Sequence, residues 1–256
     1  MGGALLAGWL EQGTCPTDAV IVDPNYDPAA GPAGVRSASS PEGLPADFAP
    51  DVILLAVKPQ AMDQAAPFYR PFAKHAVFLS IAAGRTLASL EAVLGADAAI
   101  VRAMPNTPAA VRRGATGLLA NRNVSEQQRR TCDQLVTAVG KAVWVEREQQ
   151  LDAVTALSGS GPAYVFLLVE ALAAAGENLG LPADLSAILA RETVTGAGEL
   201  LHQSPLSAAT LRENVTSPNG TTYAALQVLM KEGGGLGALM RDATEAAARR
   251  AEELAG

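Results

Sequence analysis

The chain has little of several things that whole classes of function require. Among its 256 residues there are two histidines, His75 and His202, and two cysteines, Cys15 and Cys132. They lie far apart in sequence, so neither a ligand cluster with metal spacing nor a disulfide framework is expected. Basic residues number 19 against 26 acidic ones, a net charge of −7, and they are scattered. Without a basic patch, neither nucleic acid nor an anionic membrane surface is expected as a partner. Long hydrophobic runs are missing too: Glu170 interrupts the longest, short of the roughly 18 to 20 apolar residues that span a bilayer. The opening MGGALLAGWLEQG holds no basic residue, so it lacks the n-region of a secretory signal and reads as an amphipathic helix. A reduced, cytoplasmic protein without a structural metal is the expectation.

What is present is hydrophobic patterning, with 49% apolar residues, in a chain long enough for one α/β domain or two smaller units. Short apolar runs alternate with helical stretches: 19–22, 52–57 (VILLAV), 76–81 (AVFLSI) and 98–103 (AAIVRA). Two more runs, 116–120 and 142–145, flank a helix over 125–139 with Ser125 as its N-cap. Near-continuous apolar strands between helices predict a parallel sheet covered on both faces. No strand signal follows Val145. The fold class is therefore α/β over residues 1–146, followed by an all-helical domain over 147–256.

Ligands of open α/β sheets lie outside the carboxyl ends of the strands, which singles out four places. Gly2 and Gly3 open a helix, and about 20 residues later an acidic residue, Asp23, ends a strand, the later half of a dinucleotide-binding fingerprint with Gly2 as its last glycine. The first strand and the earlier glycines of that fingerprint would precede Met1. Met1 is therefore expected to be an internal methionine or to mark a truncation, with a Val/Ile/Leu-rich strand and a G-x-G turn encoded just upstream. Ala56, Val57, Lys58 and Pro59 end the next strand, where amides and a lysine suit phosphates or the nicotinamide side, though a plain turn with a solvated lysine fits equally well. Ala82 and Ala83, before Gly84, are small enough for a ring or ribose to approach. RAMPNTP at 102–108 holds Asn106 and Thr107 in a turn stiffened by two prolines, with side-chain hydrogen bonds on offer.

Two stretches stand out in the helical half. Within residues 151–180, Gly159, Gly161 and Pro162 interrupt a helix that is apolar nearly all round, a pattern that soluble chains bury on every side. Each interior glycine costs about 1 kcal/mol relative to alanine, so either a close helix crossing or a ligand approaching the backbone is expected there. At 214–222, NVTSPNGTT precedes another helix and sets four hydroxyl residues and a glycine in seven positions. Helix capping needs only one Ser or Thr, whereas the unpaired N–H groups of such a helix start suit a carboxylate.

RAMPNTP at 102–108, SGSGPAYVF at 158–166 and VTSPNGTT at 215–222, in this order and with these separations, resemble pyrroline-5-carboxylate reductase across essentially the whole chain. The resemblance implies reduction of 1-pyrroline-5-carboxylate to L-proline, the last step of proline biosynthesis, with NADPH or NADH as cofactor. It also implies a Rossmann domain followed by a helical dimerisation domain, an interlocked homodimer within a larger homo-oligomer such as a decamer, and a substrate loop supplied by the partner subunit. By the same resemblance, backbone amides of Gly220, Thr221 and Thr222 hold the substrate carboxylate. The Thr222 hydroxyl faces the ring nitrogen with Ser217 as the second catalytic residue, and Glu148 is a substrate-side acid. Gly159 and Gly161 become packing glycines beside a shared site. Cofactor contacts fall on Gly2, Asp23, Asn25, Ala56, Val57, Lys58, Pro59, Ala82, Ala83, Asn106 and Asn214.

Two departures from the family pattern carry consequences. Asn219 stands where the family commonly has glycine, which asparagine allows because it also accepts left-handed backbone angles. Asp23 would repel a 2′-phosphate and bond a 2′-hydroxyl, so the reading leans to NADH, with Asn25 close enough to alter the outcome. Two other classes remain. A dehydrogenase of the 3-hydroxyacid type would need a lysine in the helical half, where Lys231 is the only one and lies beyond the NGTT helix. A truncated, non-catalytic homologue serving binding or assembly would leave Thr222, Ser217 and the RAMPNTP turn without a role.

Overall fold

A computed structural model describes residues 1–45 and 48–255. The first half runs through helix α1 (Gly2–Glu11), strands β1 (Val20–Val22), β2 (Arg36–Ala38) and β3 (Val52–Leu55), short helix α2 (Met62–Ala65), β4 (Val77–Ser80), α3 (Leu87–Leu94), β5 (Ala99–Met104), β6 (Gly114–Ala120), α4 (Glu126–Thr137) and β7 (Gly140–Trp144). Helices α5 (Glu148–Val154), α6 (Gly161–Asn178), α7 (Ala183–Gln203), α8 (Ala208–Asn214), α9 (Thr221–Leu229) and α10 (Leu236–Ala255) follow. Backbone contacts gather residues 1–159, with the chain from Ala248 onward, into one unit and Ser160–Ala247 into a second.

In the first unit, five strands pair in the order β3-β4-β5-β6-β7, while β1 and β2 form a separate parallel pair. Among the described residues no strand lies beside the outer edge of β3 or the second edge of β1. Pairing in the larger sheet is parallel except between β5 and β6, which run antiparallel with Met104 opposite Gly117. The sheet is thus parallel as expected apart from this one pair. The link over residues 105–113 is shorter than the dozen or so residues that a parallel crossover needs, so the chain turns back on itself. Strand β2, with the sequence RSA, was not expected at all, because three polar or small residues carry no periodic signal.

Alternation along the strands sends Ile53, Leu55, Phe78 and Ile100 to one face, against Met62, Leu90 and Leu94. Val77, Leu79, Val101 and Ala103 go to the other, with Leu118, Cys132 and Val136. Burial of each such large side chain contributes about 1.5–3 kcal/mol, and cover on both faces is why these strands read as unbroken apolar runs. Helix α1 packs through Leu5 on Ala109 and Val139. At the start of α4, Ser125 Oγ accepts from the Gln128 N–H at 3.2 Å while the Gln128 side chain accepts from the Ser125 N–H at 2.9 Å, a reciprocal capping box.

In the second unit, α6 and α7 pack together at Gly176, where a Cβ would stand 2.6 Å from Ser186 Oγ. Within the single chain α6 buries none of its residues, and Phe166 and Leu167 are 61% and 63% exposed. An apolar surface of this extent marks an interface, so the covering must come from outside the chain. Although Glu170 interrupts the longest apolar run, the stretch Glu148–Asn178 is long and apolar enough, by length and composition alone, to cross a membrane; the π turn Thr155–Gly159 lies within it.

Candidate active site

Strands β3, β4 and β5 run parallel, so their carboxyl ends share one edge, and several of the residues singled out above lie there. Ala56 and Lys58 are exposed after β3, Val57 packs against the core, and Pro59 opens a single 3₁₀ turn. After β4, Ala82 is buried, Ala83 is exposed and Gly84 takes a φ of 72°, a left-handed turn that glycine adopts without strain. A cavity of about 390 Å³ opens at this edge between Pro59, Gln60, Gly84, Arg85 and Leu254. Arg85 donates to Asp63 there (Nη1···Oδ2 3.2 Å), and this hydrogen bond holds the Asp63 carboxyl below the usual carboxylate range.

Gly2 stands so near the end of β3 that a Cβ on it would come within 3.1 Å of the Ala56 Cβ. No side chain caps α1, and its first turn has no acidic residue, which leaves its leading N–H groups to an anion. Asp23 follows β1 at the surface, and its Oδ1 accepts from the Asn25 N–H at 2.8 Å. Small residues along the edge, an uncapped glycine helix start and a surface carboxylate after β1 are the set a dinucleotide takes. N–H groups meet its phosphates, and the carboxylate meets a ribose hydroxyl. The residues present fit that group.

Asn106 and Glu148, both singled out in the sequence, bond to groups of the protein itself. The Asn106 amide is 8% exposed; its Nδ2 donates to the Ser158 carbonyl at 3.1 Å and its Oδ1 accepts from the Ala115 N–H at 2.9 Å. Its side chain therefore holds the π turn to the start of β6. Glu148 Oε1 accepts from the Leu87 N–H at 2.7 Å, and Oε2 pairs with the Arg102 guanidinium. Both carboxylate oxygens are thus engaged by the protein. Arg102 is 7% exposed; burial pushes its pKa down, against the opposing charge of Asp152. Burial likewise raises the Asp152 carboxyl, against the pull of Arg102 and with added repulsion from Glu252. The role of Arg102 went unread, although its signal was there: a lone cation in the apolar run AIVRAM needs a buried counter-charge.

Within the single chain Gly159 has a close contact, since a Cβ there would lie 2.9 Å from the Met104 Cε, whereas a Cβ on Gly161 would meet nothing of the same chain within 4 Å. The Thr155 and Ser158 hydroxyls donate back to the Leu151 and Val154 carbonyls at 2.9 and 3.1 Å.

In the second unit, exposed Asn214 ends α8. The loop after it is held by Thr216 Oγ1 donating to the Arg212 carbonyl at 2.7 Å, and Asn219 adopts a φ of 59°, the left-handed angle expected of it. Gly220 is the N-cap of α9, and no side chain caps this helix. The Gly220 N–H already donates to the Ser217 carbonyl at 3.1 Å, so the cradle expected from three amides reduces to those of Thr221 and Thr222. Four nearby hydroxyl residues thus leave the helix start open, which is the arrangement that receives a carboxylate.

Comparison with known proteins agrees with this geometry. A family model for pyrroline-5-carboxylate reductase dimerisation matches residues 148–254. The chain is 44% identical to pyrroline-5-carboxylate reductase of Pseudomonas aeruginosa, over all of the chain and 93% of the relative. It is 40% identical to that of Haemophilus influenzae, over 89% of the chain and 85% of the relative. The solved structure of a pyrroline-5-carboxylate reductase from Coxiella burnetii superposes with a TM-score of 0.90 at 37% identity, covering 99% of this chain and 94% of that one. The Plasmodium falciparum structure, determined with NADP bound, gives a TM-score of 0.81 at 28% identity, covering 100% and 95%. The chain belongs to the pyrroline-5-carboxylate reductases.

Proposed function

We propose that the protein reduces 1-pyrroline-5-carboxylate to L-proline with NADH or NADPH, the last step of proline biosynthesis, and that it works as a homodimer. The observation that carries this reading is the open start of α9, with Ser217, Gly220 and Thr222 around it. The substrate is a cyclic imine with a carboxylate, so it needs an anion cradle and a hydroxyl near its ring nitrogen. The amides of Thr221 and Thr222 supply the first. The hydroxyls of Thr222 and Ser217 supply the second, orienting the imine and relaying a proton to its nitrogen; a threonine is too weak an acid to act by acid strength alone. A bound nicotinamide supplies the hydride. Gly2, Asp23, Asn25, Ala56, Val57, Lys58, Pro59, Ala82 and Ala83 are the residues proposed to hold it.

The homodimer rests on the dimerisation family match and on the uncovered apolar face of α6; a larger ring such as a decamer rests on the resemblance alone. Two unpaired cysteines, exposed Cys15 and buried Cys132, agree with a reducing cytoplasm. No observation favours the 3-hydroxyacid or non-catalytic readings. Thr222→Val tests the proposal. Loss of a hydrogen bond that strengthens in the transition state lowers kcat by about 10²–10³, while NADH binding measured by calorimetry stays as in the parent. An unchanged kcat would remove Thr222 from the chemistry.

A further inference from the structure

Leu87 is the first residue of α3, and its N–H donates to a carboxylate 61 residues later in the chain, Glu148 Oε1, at 2.7 Å. Helix α3 already has a local cap, since Thr86 Oγ1 accepts from the Ser89 N–H at 3.1 Å. Glu148 is therefore a second cap brought from the start of α5. Its other oxygen pairs with Arg102, which lies in β5 opposite Ser80 of β4. A helix start seeks acceptors for its amides, and a buried guanidinium seeks a counter-charge. Separate groups would satisfy either need, but a single carboxylate serving both fixes the distance between α3 and β5. The segment it anchors is continuous with Ala82, Ala83 and Gly84, the turn at the carboxyl end of β4.

We infer that Arg102 and Glu148 are positioning residues for the cofactor: together they pin the 82–84 turn by tying the first amide of α3 to β5. The inference rests on the reading that this turn faces the nicotinamide cofactor. It gives Glu148 a role through Arg102 and Leu87, in place of direct contact with the substrate.

The test separates stability from placement. Removing either partner alone leaves a buried uncompensated charge and destabilises the fold, whereas replacing both with apolar groups relieves it. The double variant Arg102→Met/Glu148→Leu is expected to melt near the parent Tm yet to bind NADH about tenfold more weakly, the scale of the cost of ordering a loosened turn on binding. Arg102→Lys keeps both the cation beside Glu148 and the acceptor for the Leu87 N–H, and is expected to bind NADH as the parent does. Calorimetric NADH titrations and thermal melts of the parent and both variants read this out. Hydrogen exchange on the parent gives a route that needs no variant, since NADH should slow exchange across residues 82–90. The inference is overturned if the double variant binds NADH like the parent, if Arg102→Lys binds no better than the double variant, or if exchange at 82–90 ignores NADH. A parent that binds neither NADH nor NADPH overturns the cofactor reading itself, and this inference with it.

Discussion

The hydroxyl oxygen of Ser217 occupies the place that a Cβ on Gly220 would need, while the Gly220 N–H donates to the carbonyl of the same Ser217 at 3.1 Å. The loop before α9 closes on itself through these two residues, and any side chain at 220 drives Ser217 outward. Gly220→Ala is expected to raise KM for pyrroline carboxylate about tenfold, since overpacking of this kind displaces backbone at a cost of about 1–3 kcal/mol, while the calorimetric Kd for NADH holds. An alanine enzyme with the parent KM would show that the start of α9 does not seat the carboxylate.

Asp23 ends β1 at the surface, its Oδ1 engaged by the Asn25 N–H. A carboxylate at this position bonds a ribose 2′-hydroxyl and repels a 2′-phosphate. Asp23→Ser should therefore shift the ratio of kcat/KM for NADPH over NADH upward, by weakening NADH and relieving the repulsion of the NADPH 2′-phosphate. A ratio that does not move would place the ribose elsewhere.

Helix α6 exposes Phe166 and Leu167 in the single chain. A charge introduced there costs the isolated chain little, but in a packed interface it is buried without a partner. Phe166→Glu is expected to keep the helical content and to shift sedimentation from dimer toward monomer, with activity falling in parallel. A dimer of unchanged strength would move the interface off this face.

The two thiols differ in reach. Cys15 is exposed, with Thr17 Oγ1 at 3.1 Å. Cys132 is buried against the sheet, and burial pushes its thiol up to about 12 from 9.0. The neutral thiol is the form the fold accepts, so its contribution is complete below the ordinary thiol value and is lost as pH climbs toward the raised one. A disulfide reagent at mildly alkaline pH should modify Cys15 at once and Cys132 only on unfolding. Rapid reaction at both sites would mean that the α4 side of the sheet opens readily.

What was legible in the sequence was local. VILLAV and AVFLSI read as strands because a sheet covered on both faces leaves no polar side to alternate with, and Ser125 announced α4 because its cap is built within one turn. Asn219 was read correctly as a left-handed residue for the same reason. Features that depend on distant partners were not legible. The direction of β6 follows from the length of a connection, and the exposure of α6 from a surface the chain does not itself supply. The occupation of Glu148 and Asn106 follows from Arg102, Leu87, Ser158 and Ala115, which approach them only after folding.

The end of α10 returns to the first unit, where a Cβ on Gly84 would stand 2.8 Å from the Leu254 carbonyl oxygen. During synthesis a chain emerges from its amino end and its domains fold as units in that order. This α/β unit departs from that order, because part of the wall beside its β4 turn is encoded after the whole helical unit. Its sheet can assemble early on the ribosome, but the cavity at its carboxyl edge gains its last side only when Leu254 has left the tunnel.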